Sequence, residues 1–174
     1  MHRRFNVTIT FLEQRNRPLR TQTPSPVSKV AILRAEDPPP HFYRYLYGIV
    51  GDRHHWFSRK RLSDEELTTI IAHPDTYIYV LYHKGAPCGF CEIDKRDSND
   101  VCIKLFGLAP NAHGLGLGRY FFSQCNDLAW QSGPKRVNLE TCTLDHPAAL
   151  PLYQKFGFTP YASRKGVIEV PAND

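Results

Sequence analysis

Three glycines within five residues are the chemically most informative feature of the sequence. They lie in the run His113-Gly-Leu-Gly-Leu-Gly-Arg119, between an apolar strand-like segment and an amphipathic helical one. Glycine permits backbone conformations closed to other residues and removes side chains that would block a ligand. The free N–H groups and the positive dipole end of a following helix bind anions, most naturally a pyrophosphate. The run therefore predicts a phosphate site, with a tight turn that binds nothing as the alternative.

Two classes of phosphate ligand fit this loop. A dinucleotide fold would use the G-x-G that starts at Gly114, with Glu140 about twenty residues on as the ribose partner. However, Arg119 stands where the third glycine of that fingerprint belongs. Only residues 119–174 follow the loop, which is short for the second half of a doubly wound sheet. A dinucleotide-dependent oxidoreductase is therefore the least favoured class.

A second motif, Ala149-Leu-Pro-Leu-Tyr-Gln-Lys-Phe-Gly-Phe158, follows downstream of the loop. The two motifs together resemble the signatures of the GNAT superfamily, the acetyl-CoA-dependent N-acetyltransferases, over residues 63–162. The resemblance implies a mixed α/β fold with a central, mostly antiparallel sheet flanked by helices. It also implies transfer of an acetyl group from acetyl-CoA to a primary amine of a small molecule or peptide, with no metal. A non-catalytic acyl-CoA-binding or regulatory module is the alternative function.

The resemblance assigns the donor site to the loop and to the strand before it. In the family, the loop N–H groups hold the CoA pyrophosphate and the strand backbone pairs with the pantetheine arm. The implied cofactor-binding residues are Phe106, Gly107, Leu108, His113, Gly114, Leu115, Gly116, Leu117, Gly118 and Arg119. His146 stands seven residues before Tyr153, where the family often has an asparagine. Its imidazole either replaces that contact or caps a helix.

The resemblance also implies the catalytic residues. Tyr153 matches the family tyrosine that protonates the leaving CoA thiolate, a task that suits a neutral phenol; packing in the core is its alternative role. The family's glutamate base falls on Cys102 here, so we expect Glu92, on the preceding strand, to be the general base. Aromatic residues precede the motifs where the family binds its acceptor. We expect Tyr43, Tyr45 and Trp56 to contact the acceptor, although each would equally suit a core position.

The elements that position these residues follow from hydrophobic periodicity and from capping and turn signals. The pattern predicts one domain over residues 1–174, which the resemblance implies is an acetyltransferase domain. Residues 1–37 form an added strand–loop–strand extension, and we expect its two strands to pair as a hairpin. The pattern then predicts a helix over 41–50, a helical segment around Trp56 and a helix over 63–72. A hairpin of strands 77–82 and 88–94 follows, and after it a strand over 101–108, a helix over 117–130 and a strand over 137–141. The last predicted elements are a helix from His146, which Pro151 bends or delays, and one or two strands over 158–170, broken near Lys165-Gly166.

Composition excludes several other classes of protein. With 41% hydrophobic and 22% charged residues, the composition is ordinary for a globular protein and excludes a mostly disordered chain. No apolar run approaches the ~18 residues of a membrane helix, and no basic-then-apolar leader opens the sequence, so we expect a cytoplasmic monomer or homodimer. The net charge of +5 suits an anionic ligand, but no Lys/Arg block is dense enough to predict nucleic-acid binding. Five cysteines without an export signal predict reduced thiols rather than disulfides or a metal site.

Overall fold

The computed structural model describes residues 2–19 and 23–171, which form a seven-stranded, mostly antiparallel sheet with four α-helices. In chain order the elements are β1 (His2–Gln14), β2 (Val30–Ala35), α1 (Pro40–Gly51), α2 (Asp64–Ile71), β3 (Thr76–His83), β4 (Ala86–Asp94), β5 (Asp100–Leu108), α3 (Leu117–Trp130), β6 (Arg136–Cys142), α4 (Ala149–Lys155) and β7 (Thr159–Pro171). The strand order across the sheet is β2-β3-β4-β5-β6-β1-β7. Only β5 and β6 pair in parallel, because α3 carries the chain back across the sheet between them.

Local signals in the sequence predicted most of these elements. Helix α2 begins at Ser63 with both halves of a capping box, in which the Ser63 hydroxyl and the Glu66 carboxylate accept each other's backbone N–H. The hairpin of β3 and β4 turns at Lys84 and Gly85, both with positive φ. Helix α3 has the predicted bounds. Helix α4 begins at Ala149 rather than His146, which leaves Pro151 in its first turn, where a missing N–H breaks no helical hydrogen bond.

The expected pairing of the first two strands is wrong. Strand β1 lies between β6 and β7 and runs antiparallel to both, whereas β2 pairs with β3 at the opposite edge of the sheet. Alternation of apolar residues identifies a strand but not its partner. Strand β1 is therefore an interior strand of the sheet, and its Leu12 is fully buried.

Two further expectations fail for local reasons. The segment around Trp56 is a short 3₁₀ turn (Asp52–His54) followed by irregular chain, not a helix, since His55 adopts a left-handed φ of 56°. Strand β7 continues through Lys165-Gly166 as one element, because each of its residues around that point pairs with β1.

The helices cover the two faces of the sheet with separate apolar clusters. Helices α1 and α2 pack on β3 and β4 around Tyr43, Leu46, Leu67 and Phe90. Helices α3 and α4 pack on the other face around Phe121, Phe122, Tyr153 and Phe156. All five cysteines carry free thiols. No helix within the described ranges is long and apolar enough to cross a membrane.

Candidate active site

A cleft with a volume of about 590 Å³ opens where β5 and β6 diverge. The parallel pairing of these strands ends at Ile103 and Leu139, and the residues beyond that pair line opposite sides of the cleft. The start of α3, the helix α4 and the chain after α1 complete its walls. The cleft brings together twelve of the residues predicted from the sequence: Trp56, Phe106, Gly107, Leu108, His113, Gly114, Gly116, Leu117, Gly118, Arg119, His146 and Tyr153.

The glycine loop presents backbone N–H groups to this cleft. Gly114 and Gly116 have φ values of 77° and 74°, which only glycine adopts readily. Gly116 is the N-cap of α3, and no side chain caps the helix. The first N–H groups of α3 therefore keep their hydrogen-bonding capacity for a ligand, and the helix dipole favours an anion there. The predicted loop residue Leu115 does not line the cleft; its side chain packs against the main apolar cluster.

Strand β5 forms the adjacent wall. The side chain of Phe106 lies under the loop, with its ring centroid 5.4 Å from that of Phe121 and 5.0 Å from that of Phe122. At Gly107 the chain passes so close to α1 that a Cβ atom would lie 2.4 Å from Val50 Cγ1. Only glycine fits this position, which fixes the distance between the strand and the helix.

Tyr153 reaches the cleft from α4. Its ring is 4.9 Å from that of Phe122, and 7% of the residue is exposed. The hydroxyl has no hydrogen-bond partner among the residues that the structure describes. Burial, followed by the negative charge of Asp145, raises the pKa of Tyr153 well above its usual value. The phenol therefore stays protonated at neutral pH and is able to act as a proton donor.

Four imidazoles line the cleft, those of His54, His55, His113 and His146. The ring of His146 is 5.1 Å from that of His113 and 6.1 Å from that of His54. Desolvation, and then the two neighbouring imidazoles, lower the pKa of His146, so its ring is neutral at pH 7. His146 Nδ1 accepts the backbone N–H of Ala148 at 3.1 Å. This bond places the proton of the neutral ring on Nε2, which is thus a hydrogen-bond donor.

The chain after α1 is tied to the turn after β6 by Asp145. Its Oδ1 accepts the indole N–H of Trp56 at 3.1 Å. Its Oδ2 accepts the Thr141 hydroxyl and the Cys142 N–H, each at 2.8 Å. Trp56 therefore lines the cleft in one fixed orientation, although its segment is irregular.

Glu92 and two of the predicted acceptor residues lie elsewhere. Glu92 is 1% exposed and does not line the cleft. One of its oxygens accepts the hydroxyl of Tyr43, and the other accepts the guanidinium of Arg59 at 2.6 Å. Burial and the Glu92 charge raise the pKa of Tyr43 well above its usual value. Tyr45 lies on the outer side of α1, half exposed. The structure thus does not bring Glu92, Tyr43 or Tyr45 together with the other predicted residues.

The sequence reasoning missed several residues of the cleft. His54, His55, Ile9, Asp145 and Ile168 all line it. The ring of His55 stacks on that of Phe5 at 4.5 Å. Ile9 and Ile168 belong to β1 and β7, so the N-terminal strand forms part of the site. No local motif marks these residues, because they meet only through strand pairing distant in sequence. Among the described residues, no group of three or more His, Cys, Asp or Glu side chains is placed to hold a metal ion.

The cleft thus brings together the uncapped N-terminus of α3 and the buried, protonated side chain of Tyr153. The chain belongs to the Acetyltransferase (GNAT) family, whose model matches residues 30–158. Members of this family use acetyl-CoA as a donor. No curated protein matches the sequence.

Solved structures share the fold at low sequence identity. A tandem GNAT protein from the clavulanic acid biosynthesis pathway is 15% identical with a TM-score of 0.65, over 95% of this chain and 53% of its own. A GCN5-related N-acetyltransferase from Sphaerobacter thermophilus is 16% identical with a TM-score of 0.62, over 94% of this chain and 51% of its own. An aminoglycoside acetyltransferase from an uncultured soil metagenomic sample, in complex with sisomicin, is 14% identical with a TM-score of 0.59. The match covers 74% of this chain and 87% of that protein. The chain thus spans about half the length of the first two of these proteins.

Proposed function

We propose that this protein transfers an acetyl group from acetyl-CoA to a primary amine of a small-molecule or peptide acceptor. One observation carries the proposal: the N-terminus of α3 and the hydroxyl-bearing side chain of Tyr153 open onto the same cleft. The first is suited to an anion and the second to a leaving group that needs a proton. A donor such as acetyl-CoA, with a pyrophosphate at one end and a thioester at the other, requires both.

The donor would lie along β5 and the glycine loop. The uncapped N–H groups of Leu117, Gly118 and Arg119 suit the pyrophosphate, and the Arg119 side chain adds positive charge. The backbone of Phe106–Leu108 suits the pantetheine arm. The Nε2–H group of neutral His146 suits a carbonyl of that arm or of the acetyl group. These residues fit the donor, because the loop offers N–H donors without covering side chains.

The chemistry is a direct transfer. The amine nitrogen attacks the thioester carbonyl carbon, the C–S bond breaks, and the amide forms without a covalent enzyme intermediate or a metal. Tyr153 donates a proton to the departing thiolate, a step that general acid catalysis typically accelerates about 10²–10⁴-fold. Its buried, protonated phenol suits this role.

The acceptor would enter from the side of the cleft opposite the glycine loop. The cleft includes an aromatic and aliphatic set of lining residues outside the glycine loop, namely Ile9, Tyr47, Trp56, Phe57 and Ile168. An amine attached to an apolar or aromatic group fits such a wall. In this proposal Trp56 remains an acceptor contact, whereas Tyr43 and Tyr45, which lie outside the cleft, do not contact the acceptor.

The test combines binding with turnover. Acetyl-CoA should raise the melting temperature, whereas NADH should not, since only a ligand selective for the native state stabilises it. Release of free CoA thiol is then followed with 2-phenylethylamine, spermidine, an aminoglycoside and a lysine-containing peptide. Turnover with any amine supports the proposal. Stabilisation without turnover across the panel favours the alternative, a non-catalytic acyl-CoA-binding module, and the absence of both overturns the donor assignment.

A further inference from the structure

We propose that His54 is the general base of this reaction and accepts, at Nε2, the proton that the acceptor amine loses. The proposal rests on the proposed function and adds a residue that lies outside both sequence motifs. His54 ends the 3₁₀ turn after α1 and lines the cleft next to Trp56. A general base needs a lone pair that the substrate reaches, in a side chain held in one orientation. His54 meets both conditions.

Hydrogen bonding fixes the tautomer of His54. Its Nδ1 lies 3.1 Å from the carbonyl oxygen of Leu144. A carbonyl oxygen only accepts, so Nδ1 carries the proton of the neutral ring and Nε2 carries the lone pair. Nε2 has no hydrogen-bond partner among residues 2–19 and 23–171. The ring is therefore oriented by Nδ1 and free to take a proton at Nε2, the arrangement in which histidine acts as a base.

The three other imidazoles of the cleft are less suited to this step. The ring of His55 stacks on that of Phe5 at 4.5 Å, but no hydrogen bond from the described residues fixes its tautomer. His146 uses its Nδ1 to accept the Ala148 N–H, which leaves only a donor at Nε2. His113 has a free Nδ1, because its Nε2 donates to the carbonyl of Leu108 at 3.1 Å. However, His113 is part of the glycine loop, at the end of the cleft that suits phosphate rather than the amine. Of the four, only His54 combines a tautomer fixed by a hydrogen bond with a free lone pair outside the glycine loop.

The carboxylates near His54 are the other candidates for the base, and each of them is either hydrogen-bonded through both oxygens or exposed. Both oxygens of Asp145 accept hydrogen bonds, from Trp56, Thr141 and Cys142. Both oxygens of Glu92 are likewise occupied, outside the cleft. Glu140 lines the cleft as an exposed residue of β6. It is the competing base, and the experiment below includes it for that reason.

The proton balance of the step is simple. The amine forms a C–N bond and gives one proton to His54 Nε2, while the C–S bond breaks and the CoA sulfur takes one proton from Tyr153. Solvent in the cleft returns a proton to Tyr153 and removes one from His54, so the enzyme ends as it began. The net reaction is amine plus thioester to amide plus thiol, without any further reactant.

Several titratable groups lie in the cleft, so the pH dependence of kcat/KM has to be assigned to one of them by experiment. The titratable and charged groups that share the cleft with His54 are Tyr47, His55, Arg61, Lys104, His113, Arg119, Glu140, Cys142, Asp145, His146 and Tyr153. A base that must be unprotonated produces an acidic limb in the pH profile of kcat/KM. The proposal predicts that this limb is lost when Nε2 of His54 is removed, and that it survives changes at the other groups.

The decisive variant is His54→Asn. Its side-chain amide keeps an N–H group near the position of Nδ1 and preserves the bond to Leu144, but it has no basic nitrogen. With the panel amine that the wild type acetylates fastest, kcat/KM should fall about 10²–10⁴-fold, with the stabilisation by acetyl-CoA unchanged. Glu140→Gln should retain the acidic limb, and His73→Asn, at the surface after α2, should retain full activity. In His54→Ala, added imidazole should restore part of the rate.

A measurement without turnover accompanies the kinetics. Correlation spectra of ¹⁵N-labelled histidine rings should show His54 as the Nδ1–H tautomer, and the Nε2–H tautomer would overturn the proposal. A wild-type rate in His54→Asn, or loss of the acidic limb in Glu140→Gln instead, would also overturn it. If the wild-type enzyme acetylates no amine, the proposed function fails and the base role fails with it. If it does and His54→Asn is equally fast, the base role alone fails.

Discussion

The indole N–H of Trp56 donates to the carboxylate of Asp145 over 3.1 Å, joining two segments that are separated by 89 residues. A second bond between the same segments, from His54 Nδ1 to the carbonyl of Leu144, lies beside it. Together they hold the irregular chain after α1 against the turn after β6. The acceptor side of the cleft therefore depends on the end of β6, although no residue of β6 was predicted to bind the acceptor.

The first prediction concerns this connection. Asp145→Asn keeps an acceptor oxygen but removes the charge that three donors share, so the loop should lose its fixed orientation. Hydrogen bonds to charged groups contribute about 1.5–3 kcal/mol, and we expect a loss of this order in the free energy of unfolding by urea. The KM for the amine should rise more than the KM for acetyl-CoA. Trp56→Phe is the matched control for the indole bond, and a double-mutant cycle isolates that bond. Independent, additive effects of the two changes would contradict the connection.

The residues of the cleft show which parts of the structure can be predicted from the sequence and which cannot. The glycine loop, its helix and Tyr153 were predicted because each depends on residues close together in the chain. His54 and Asp145 carry no motif, and they meet because β6 and the chain after α1 end at the same cleft. Strand β1 was predicted as a strand, but its place between β6 and β7 depends on pairings that a hydrophobic pattern does not specify. Glu92 was placed on the correct strand, whereas its partners Tyr43 and Arg59 could not be read from alternation.

The second prediction tests donor binding. Gly116 is a poor site for substitution, because its φ of 74° disfavours any side chain and a Cβ there would lie 3.3 Å from Pro26. Gly118 is better suited: a Cβ there meets only Leu108, at 3.6 Å, and its φ is not positive. Gly118→Asp should abolish stabilisation by acetyl-CoA while preserving the fold, since an acidic residue in the first turn suits the helix dipole. Gly118→Asn has nearly the same size without the charge and should retain more of the stabilisation. Equal effects of the two variants would mean that bulk, not charge, matters.

The third prediction tests the proton donor. Tyr153→Phe removes one oxygen that holds no hydrogen bond among the described residues, so the packing with Phe122 should persist. We expect kcat to fall about 10²–10⁴-fold with little change in the KM for acetyl-CoA, because the lost interaction matters in the transition state. Thermal unfolding of the variant provides the structural control. Loss of stability at an unchanged rate per folded molecule would identify Tyr153 as a packing residue only.

The fourth prediction concerns acid stability. Hydrogen bonds from Arg136 lower the pKa of Asp100, and those from Arg15 and then Arg136 lower the pKa of Glu13. A carboxylate with a lowered pKa stabilises the fold above its unfolded-state pKa, and this stabilisation is lost as the pH falls through the lowered value. The free energy of unfolding should therefore decline below about pH 4–5, the range of ordinary carboxylates. Arg136→Gln should flatten this decline in urea titrations between neutral and acidic pH, and Arg164→Gln, on the exposed β7, is the control. A decline of unchanged steepness in Arg136→Gln would mean that other carboxylates cause it.

The last prediction concerns the N-terminal strand. Leu12 is fully buried, and the side chain of Gln14 accepts the indole N–H of Trp130 at 2.8 Å while donating to the carbonyl of Phe156. Within the described part of the chain, β7 pairs only with β1, so removing β1 leaves β7 without a partner strand there and exposes an edge of β6. Deletion of residues 1–12 should therefore give an aggregating or unfolded chain, because an open strand edge recruits other chains.

Deletion of residues 1–4 is the matched control. The backbone of Arg3 and Arg4 pairs with Val170 and Glu169 near the end of β7. The ion pair of Arg4 with Glu169 lies at the surface, where such a pair contributes about 0–1 kcal/mol. The short deletion should leave solubility and the unfolding midpoint nearly unchanged. Gel filtration and urea unfolding of the two truncations, side by side, provide the measurement. A soluble and equally stable chain that begins after Leu12 would show that β1 is not needed to complete the sheet, and the acceptor wall would then have to form without Ile9.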